Sequence, residues 1–383
     1  MPPNSSPLST ILPPLICGTG TFNSQYNPDP FNLPTNAIVR RALTLGVRAF
    51  DTSPYYGPSE DLLGTALAAA RSEFPREDYF ILTKVGRIGL SSFDYSPAWI
   101  RESIKRSLKR LQTGYLDVVY CHDVEFVSPS EALEAILELR RIRDEEGTVK
   151  YVGVSGYPVN VLCEIAELVL QKTEEPLDAV QSYANYTLQN TRLASVGLER
   201  LKNAGVAVVP NASMLGMGLL RRMGTPVGGQ GDWHPAPVEL RKAVRKASEW
   251  CDSQGEKIEK LAIRYSMESW LQTGAVVGTS AAPSLAGKEI METKPKKLGV
   301  SVMGVSNIEE LEETVTVWRS ILDTLDGEGQ LIEGHDNTAR REERKEEVLQ
   351  RAQEVRKILG EWADFAWASP DPDFVNQAPS VKS

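Results

Sequence analysis

Cysteine and histidine are scarce in this chain, four and three residues among 383. Cys17, Cys121, Cys163 and Cys251 lie far apart, mostly in apolar stretches, which excludes a disulfide framework and fits reduced core thiols. The histidines lack ligand spacing, so no metal site is expected. Basic charge is not in excess either. The formal net charge is −9, which argues against a nucleic-acid-binding surface. No apolar run reaches the roughly 18 residues of a membrane span, and Met1-Pro-Pro-Asn-Ser-Ser-Pro-Leu8 has none of the marks of a secretory signal. A G-x-G-x-x-G turn is also lacking, because Gly18-Thr-Gly20 runs on into Thr-Phe-Asn-Ser. That disfavours an open dinucleotide-binding sheet. What remains is the composition of a soluble cytoplasmic protein, long enough for one barrel-sized domain with additions or for two ordinary domains.

What the chain does have is regular alternation. An early apolar run, residues 15–22, leads into a Gly-rich turn. Strands are expected at 47–51, 79–84, 116–122, 150–155, 178–183 and 206–211, and helices at 35–45, 59–72, 97–112, 129–145, 159–171, 190–204 and 256–269. The strands are apolar almost throughout, as in a parallel sheet covered on its outer face, and they recur at the spacing of one βα unit. Seven units are visible by residue 211. For the eighth strand either Ala275-Val-Val-Gly278 or Ser301-Val-Met-Gly304 would serve. The count favours a closed barrel.

Two insertions, residues 223–237 and 281–300, interrupt the pattern. The first is dense in Gly and Pro, contains Trp233 and His234, and is a candidate cover for whatever binds at the barrel's mouth. Beyond residue 325 the charge density rises, yet Val348, Ala352, Val355, Leu359 and Trp362 recur at helical spacing. An amphipathic helix is expected there, packed on its own barrel or, as second choice, on another copy. Residues 369–383 read as frayed. The chain thus divides into a barrel over 1–325 and a helical extension over 326–383.

Polar residues recur at the carboxyl ends of successive strands, where ligands bind in α/β folds. Asp51 closes a strand and Tyr55 and Tyr56 follow in Asp51-Thr-Ser-Pro-Tyr-Tyr-Gly57. Lys84 closes the next strand and His122 the one after. Each taken singly reads as structural or solvated, and Asp51 as a turn cap. Together they suit proton transfer at a carbonyl or hydroxyl carbon. A phenol is a poor proton carrier at neutral pH. A lysine ammonium about 4 Å away contributes roughly 4 kcal/mol at an effective dielectric of 20, enough to offset about three pKa units if it outweighs burial. Asp51 would neutralise the buried lysine, and His122 would orient the reacting oxygen. Such a set suits hydride transfer to or from a nicotinamide. Spacing alone does not choose between Tyr55 and Tyr56.

Asp51-Thr-Ser-Pro-Tyr-Tyr-Gly57, Leu82-Thr-Lys-Val-Gly-Arg87 and Tyr120-Cys-His-Asp-Val-Glu-Phe126 resemble the aldo-keto reductase superfamily, and within it the branch of aldose dehydrogenases. The resemblance covers about residues 12–320. It implies an α/β fold, a (β/α)8 TIM barrel, with inserted loops and the C-terminal helical extension added. The implied tetrad is Asp51, Tyr56, Lys84 and His122, the family's spacing selecting Tyr56. Also implied as cofactor contacts are Gly20 and Thr21 beside the nicotinamide, Ser155 and Gln181 at its carboxamide, and Ala212, Ser213 and Leu215 in the seventh-strand loop over the pyrophosphate. Gly304, Ser306, Asn307, Glu310 and Glu313 would lie on the adenine side. Gly156 stands where the family has Asn, and Glu313-Thr314 where it has Glu-Asn.

An acidic residue at 310 would repel a 2′-phosphate, so NAD is the expected cofactor and NADP the second choice. The implied reaction is oxidation of a cyclic aldose at C1 to the aldonolactone, with D-arabinose first and L-galactose or L-fucose next. Phe22, Tyr55, Phe126 and Trp233 are candidates for the sugar's apolar wall or, equally, for ordinary core. A general aldehyde reductase with NADPH and a regulatory binding barrel remain alternatives. The small-molecule partner is a sugar, with no nucleic acid or membrane, and the chain is expected to be a monomer or homodimer.

Overall fold

Each strand exposes alternate residues to two different apolar surroundings, and that decides the architecture. The computed structural model describes residues 6–225, 233–281, 297–325 and 338–377. In them eight parallel strands close into a barrel in sequence order: β1 (Leu15–Gly18), β2 (Ala49–Asp51), β3 (Phe80–Val85), β4 (Leu116–His122), β5 (Val149–Gly156), β6 (Ala179–Tyr183), β7 (Asn211–Ala212) and β8 (Ser301–Gly304). The seam is made by β8, whose Ser301 pairs with Leu15 on one side and Asn211 on the other. Ile16, Ala49, Leu82, Val118, Tyr120 and Ala179 fill the barrel, together with Leu8 and Leu12 from and beside the short helix α1 (Leu8–Ile11). Cys17, Phe50, Ile81, Val119 and Val180, one residue out of phase, meet the helices instead.

The helices follow as α2 (Thr35–Thr44), α3 (Ser59–Ala70), α4 (Pro97–Arg110), α5 (Pro129–Glu145), α6 (Val159–Thr173), α7 (Leu198–Asn203), α8 (Val238–Ser253), α9 (Ile258–Thr273), α10 (Ile308–Leu325) and α11 (Thr338–Leu359). Two starts are strongly specified. Ser96 caps α4, and Ser128 with Glu131 forms a reciprocal capping box on α5, each with Pro at the first helical position. By contrast α2 begins after Pro34 with no side-chain cap.

Several elements differ from the sequence reading. The seventh strand shrinks to Asn211–Ala212, with a single bridge from Val208 to Ala179 replacing the strand expected over 206–211. The expected helix 190–204 opens with a π turn, Leu193–Gly197, before α7. Residues 274–277 form a 3-10 turn, which leaves Ser301–Gly304 as the eighth strand. Helix α8 was not foreseen. Residues 226–232 of the first insertion and 282–296 of the second lie outside the described residues.

Helix α11 packs on its own barrel through Val348, Ala352, Val355 and Leu359, which meet Leu240, Val244 and Cys251 of α8 and Leu261 of α9. Burial stabilises this contact by roughly 1.5–3 kcal/mol per large apolar side chain. The partly exposed Arg351–Glu256 pair at 3.3 Å adds at most about 1 kcal/mol. Apolar packing therefore dominates. Beyond α11 the chain crosses the barrel's mouth, and the described residues 369–377 are hydrogen-bonded to it, contrary to the frayed end expected there.

Candidate active site

Strand phase places the polar groups. Asp51, Lys84 and His122 follow the interior residues Ala49, Leu82 and Tyr120 by two positions, so each points into the barrel at its carboxyl end. Lys84 is only 1% exposed and Asp51 3%. Lys84 Nζ donates to Asp51 Oδ2 at 2.7 Å and to the Thr52 carbonyl at 2.9 Å. A buried ammonium without a counter-charge costs several kcal/mol, so the pair is a condition of Lys84 being there at all. Burial pushes the Asp51 carboxyl up, opposed by the Lys84 ammonium.

Tyr56 lies in the loop after β2, where Gly57, at φ +58°, takes a left-handed conformation before α3. Lys84 Nζ is 4.9 Å from the centre of the Tyr56 ring, and the His122 ring meets it edge-on at 5.8 Å. Burial holds the Tyr56 phenol well above its ordinary value; Asp51 and Asp123 push the same way and Arg87 opposes them. The sequence reading had required a cation to outweigh burial, and among the protein's own groups burial prevails. For His122 burial drives the pKa down to about 3, so the imidazole is neutral, with Nδ1 3.1 Å from Ser53 Oγ.

Around this tetrad runs a cavity of about 510 Å³, lined by Asp51, Tyr56 and His122. Gly20, Thr21, Ser155, Gln181, Ala212, Ser213, Leu215 and Gly304 line it as well, as do Tyr55, Phe126 and Trp233. The register explains one side: His122 pairs with Ser155 and Ser155 with Gln181, so three polar side chains stand in a row. Phe22 does not belong here. It is fully buried in the layer between strands and helices, so it is core and not a sugar wall. Ser306, Asn307, Glu310 and Glu313 stand outside the cavity lining, at the start of α10. The Ser306 N–H donates to Glu310 Oε2 and the Glu310 N–H to Asn307 Oδ1, both at 2.8 Å, while Glu313 pairs with Lys260 at 3.3 Å. Thr314 reaches the lining instead.

The structure adds residues that sequence reasoning left unassigned. Arg87 forms an ion pair with Asp123, lies 3.7 Å over the Tyr55 ring and donates to the Tyr55 hydroxyl at 3.0 Å. Tyr26 meets Trp233 edge-on at 5.5 Å, and Arg221, Tyr183, Trp367 and Phe374 complete the wall. Arg87 and Asp123 sat within the motifs quoted above, so their signal was present. Phe374 lay in the stretch 369–383 read as frayed, and Trp367, just before it, was given no role. Gly156 also finds its reason: an added Cβ would lie 2.4 Å from Glu125 Oε2, so the Glu125 carboxyl occupies that space.

A closed parallel barrel with a lysine, a phenol, a carboxylate and an imidazole converging at its carboxyl end defines a class, the (β/α)8 enzymes that act on a small organic substrate. The family model for the Aldo/keto reductase family matches residues 14–327, and the chain belongs to that family. It is similar to D-arabinose 1-dehydrogenase of Saccharomyces cerevisiae, 44% identical over 277 residues that cover 71% of this chain and 80% of the relative. L-galactose dehydrogenase of Arabidopsis thaliana is 37% identical over 282 residues, 73% and 84% of the two chains. D-threo-aldose 1-dehydrogenase of a Pseudomonas species is 27% identical over 275 residues, 65% and 80%. Membership makes the chain an oxidoreductase with a nicotinamide cofactor. The residues present fit that group: Gln181 Oε1 is buried, has no hydrogen-bond partner and belongs to a residue of the cavity wall, an acceptor suited to a carboxamide NH2. Among the described residues no helix is long and apolar enough to cross a membrane, and no cluster of His, Cys, Asp and Glu could hold a metal ion.

Proposed function

We propose that this protein is an NAD-dependent aldose 1-dehydrogenase that oxidises a cyclic aldose at its anomeric carbon to the aldonolactone, with D-arabinose as the first substrate. The observation that carries the reading is the Lys84–Asp51 pair set beside Tyr56 and His122 at a cavity of about 510 Å³. The 44% identity to a D-arabinose 1-dehydrogenase supports the choice of sugar.

Tyr56 Oη takes the proton of the anomeric hydroxyl. The Lys84 ammonium, fixed by Asp51 and the Thr52 carbonyl, stabilises the phenolate. Neutral His122 gives a hydrogen bond to the same sugar oxygen. Ser155 and Gln181 hold the carboxamide, and Gly20 stands beside the Tyr56 ring on the cavity wall. When bound, the oxidised cofactor accepts the hydride and brings a positive charge beside the phenol. Ala212, Ser213 and Leu215 would follow the pyrophosphate. Residues 1–325 form the catalytic barrel in this reading and 326–383 an extension of it.

NAD is favoured over NADP by the start of α10. The Glu310 carboxylate takes the Ser306 N–H, and its charge would repel a 2′-phosphate dianion on the adenine side. A panel of aldoses assayed with NAD and with NADP, followed at the reduced cofactor's absorbance band, tests both points. The expected result is turnover of D-arabinose with kcat/KM for NAD at least about tenfold above that for NADP, a difference of about 1.4 kcal/mol. Reduction of simple aldehydes by NADPH without aldose oxidation would overturn it.

A further inference from the structure

A segment beyond the family match closes one side of the cavity. After α11 and the turn Gly360–Trp362 the chain is fixed at both ends of its crossing. At the near end Gln189 Nε2 donates to the carbonyls of Trp362 and Phe365 at 2.7 and 3.0 Å, and Thr191 N and Oγ1 both reach Asp364 Oδ1. Trp367 then stacks on Tyr157 with rings 4.6 Å apart and 3° from parallel. At the far end Phe374 meets Phe93 and Phe126 edge-on, and the Asn376 amide exchanges two hydrogen bonds with the Phe93 backbone, both at 2.9 Å. Between these ends Ser369 to Asp371 face the cavity.

At the middle of the span stands Glu125. It is 9% exposed, and its Oε1 accepts from the Ser369 hydroxyl and from the Tyr157 N–H, each at 3.1 Å. The carboxyl thereby joins the rim of β5 to the crossing segment. Its Oε2 has no hydrogen-bond partner and lies over Gly156, the one residue type that leaves it room. The titratable groups that interact with it are Asp123 on its own loop, Tyr95 from the segment after β3, and Tyr183 from the end of β6. Burial and the Asp123 charge push the Glu125 carboxyl up to about 8. A protonated carboxyl still accepts both hydrogen bonds through its carbonyl oxygen, as an amide would.

We infer that Glu125 is a positioning residue: through Ser369 it holds residues 367–374 as a wall of the sugar subsite, setting affinity for the aldose without touching the reacting carbon. The kinetic part of this rests on the aldose dehydrogenase reading; the structural part does not.

The test uses full-length Glu125→Ala, Glu125→Gln and Ser369→Ala. Two quantities are measured, steady-state kinetics with D-arabinose and NAD, and amide hydrogen exchange of residues 367–377. Glu125→Ala should raise the aldose KM about tenfold, the size of one or two hydrogen bonds, with kcat nearly unchanged and exchange of the segment quickened. Ser369→Ala should move both in the same direction by less. Glu125→Gln should match the parent in both. Unchanged exchange in Glu125→Ala and Ser369→Ala overturns the inference, as does a Gln variant as impaired as Ala. If Glu125→Ala fails to fold, Ser369→Ala, which removes one hydroxyl, decides alone. If the parent turns over no aldose, the functional reading falls while the exchange measurement still judges Glu125.

Discussion

At the scale of single residues the chemistry depends on how rigidly one charge is held. Two oxygens fix Lys84 Nζ, so the ammonium cannot swing away from Tyr56 when burial favours the neutral phenol. Tyr56→Phe should therefore lower aldose-dependent kcat by about 10²–10⁴ while cofactor binding, followed by quenching of protein fluorescence, stays within about twofold. The parent's pH profile belongs to the same test. With the phenol above its ordinary value and His122 neutral from about pH 4 upward, kcat/KM for oxidation should climb steadily from pH 6 to 9. A break near 6.5, the ordinary imidazole value, would transfer the titration to His122. The tetrad was legible because Asp51, Lys84 and His122 close or nearly close successive apolar strands and Tyr56 follows the first of them in the adjoining loop. The Arg87–Asp123 pair was present only as letters in quoted motifs, since Asp123 takes a left-handed backbone, φ 56°, that no spacing announces. Phe22 had stayed open between sugar wall and core, and core is what it is: an aromatic next to a Gly-rich turn says nothing about which side of the strand layer its ring will enter.

Among elements, the apolar strands and their regular spacing with the helices carried most of the fold into the sequence. What failed to show was length where pairing is thin. β7 keeps two residues because its neighbours supply the remaining hydrogen bonds: the Val208 carbonyl accepts from Val180 and the Pro210 carbonyl from Ser182. The two short apolar runs near 275 and 301 were equivalent by period; the family resemblance of the stretch from Gly304 onward favoured the second, and Ser301 indeed fits between β7 and β1. Helix α8 had its stripe in Leu240, Val244, Ala247 and Cys251, but it begins directly after a Gly- and Pro-rich insertion that drew the reading towards loop. Contact between helices is more demanding. At Gly64 of α3 an added Cβ would stand 2.1 Å from the Arg110 carbonyl oxygen at the end of α4. Gly64→Ala, ordinarily a gain in helix propensity, should instead cost about 1–3 kcal/mol through overpacking. Urea unfolding would register this as a lower midpoint at unchanged slope, and an unshifted midpoint would mean that the two helices separate without cost.

At the scale of the whole molecule, two imidazoles among the described residues are buried in neutral form, His122 near pKa 3 and His234 near 4. His234 is held by the Gly216 carbonyl at 2.8 Å and the Ala236 N–H at 3.0 Å. Both folded values lie below the unfolded one of about 6.5, so the stability they lend is complete above that pH and drains away as pH falls towards 3. The melting temperature should drop between pH 7 and 4 more steeply in the parent than in His234→Gln, and equal slopes would remove His234 from the account. A second property of the whole follows from the seam. β1 finds one of its two neighbours only when Ser301–Gly304 has been synthesised. At about 5–20 residues per second that wait is on the order of tens of seconds. Throughout it an apolar strand emerging early from the ribosome carries an open hydrogen-bonding edge. Ribosome-associated chaperones would find their most persistent client segment around Leu15–Gly18, long before the rim that does the chemistry exists.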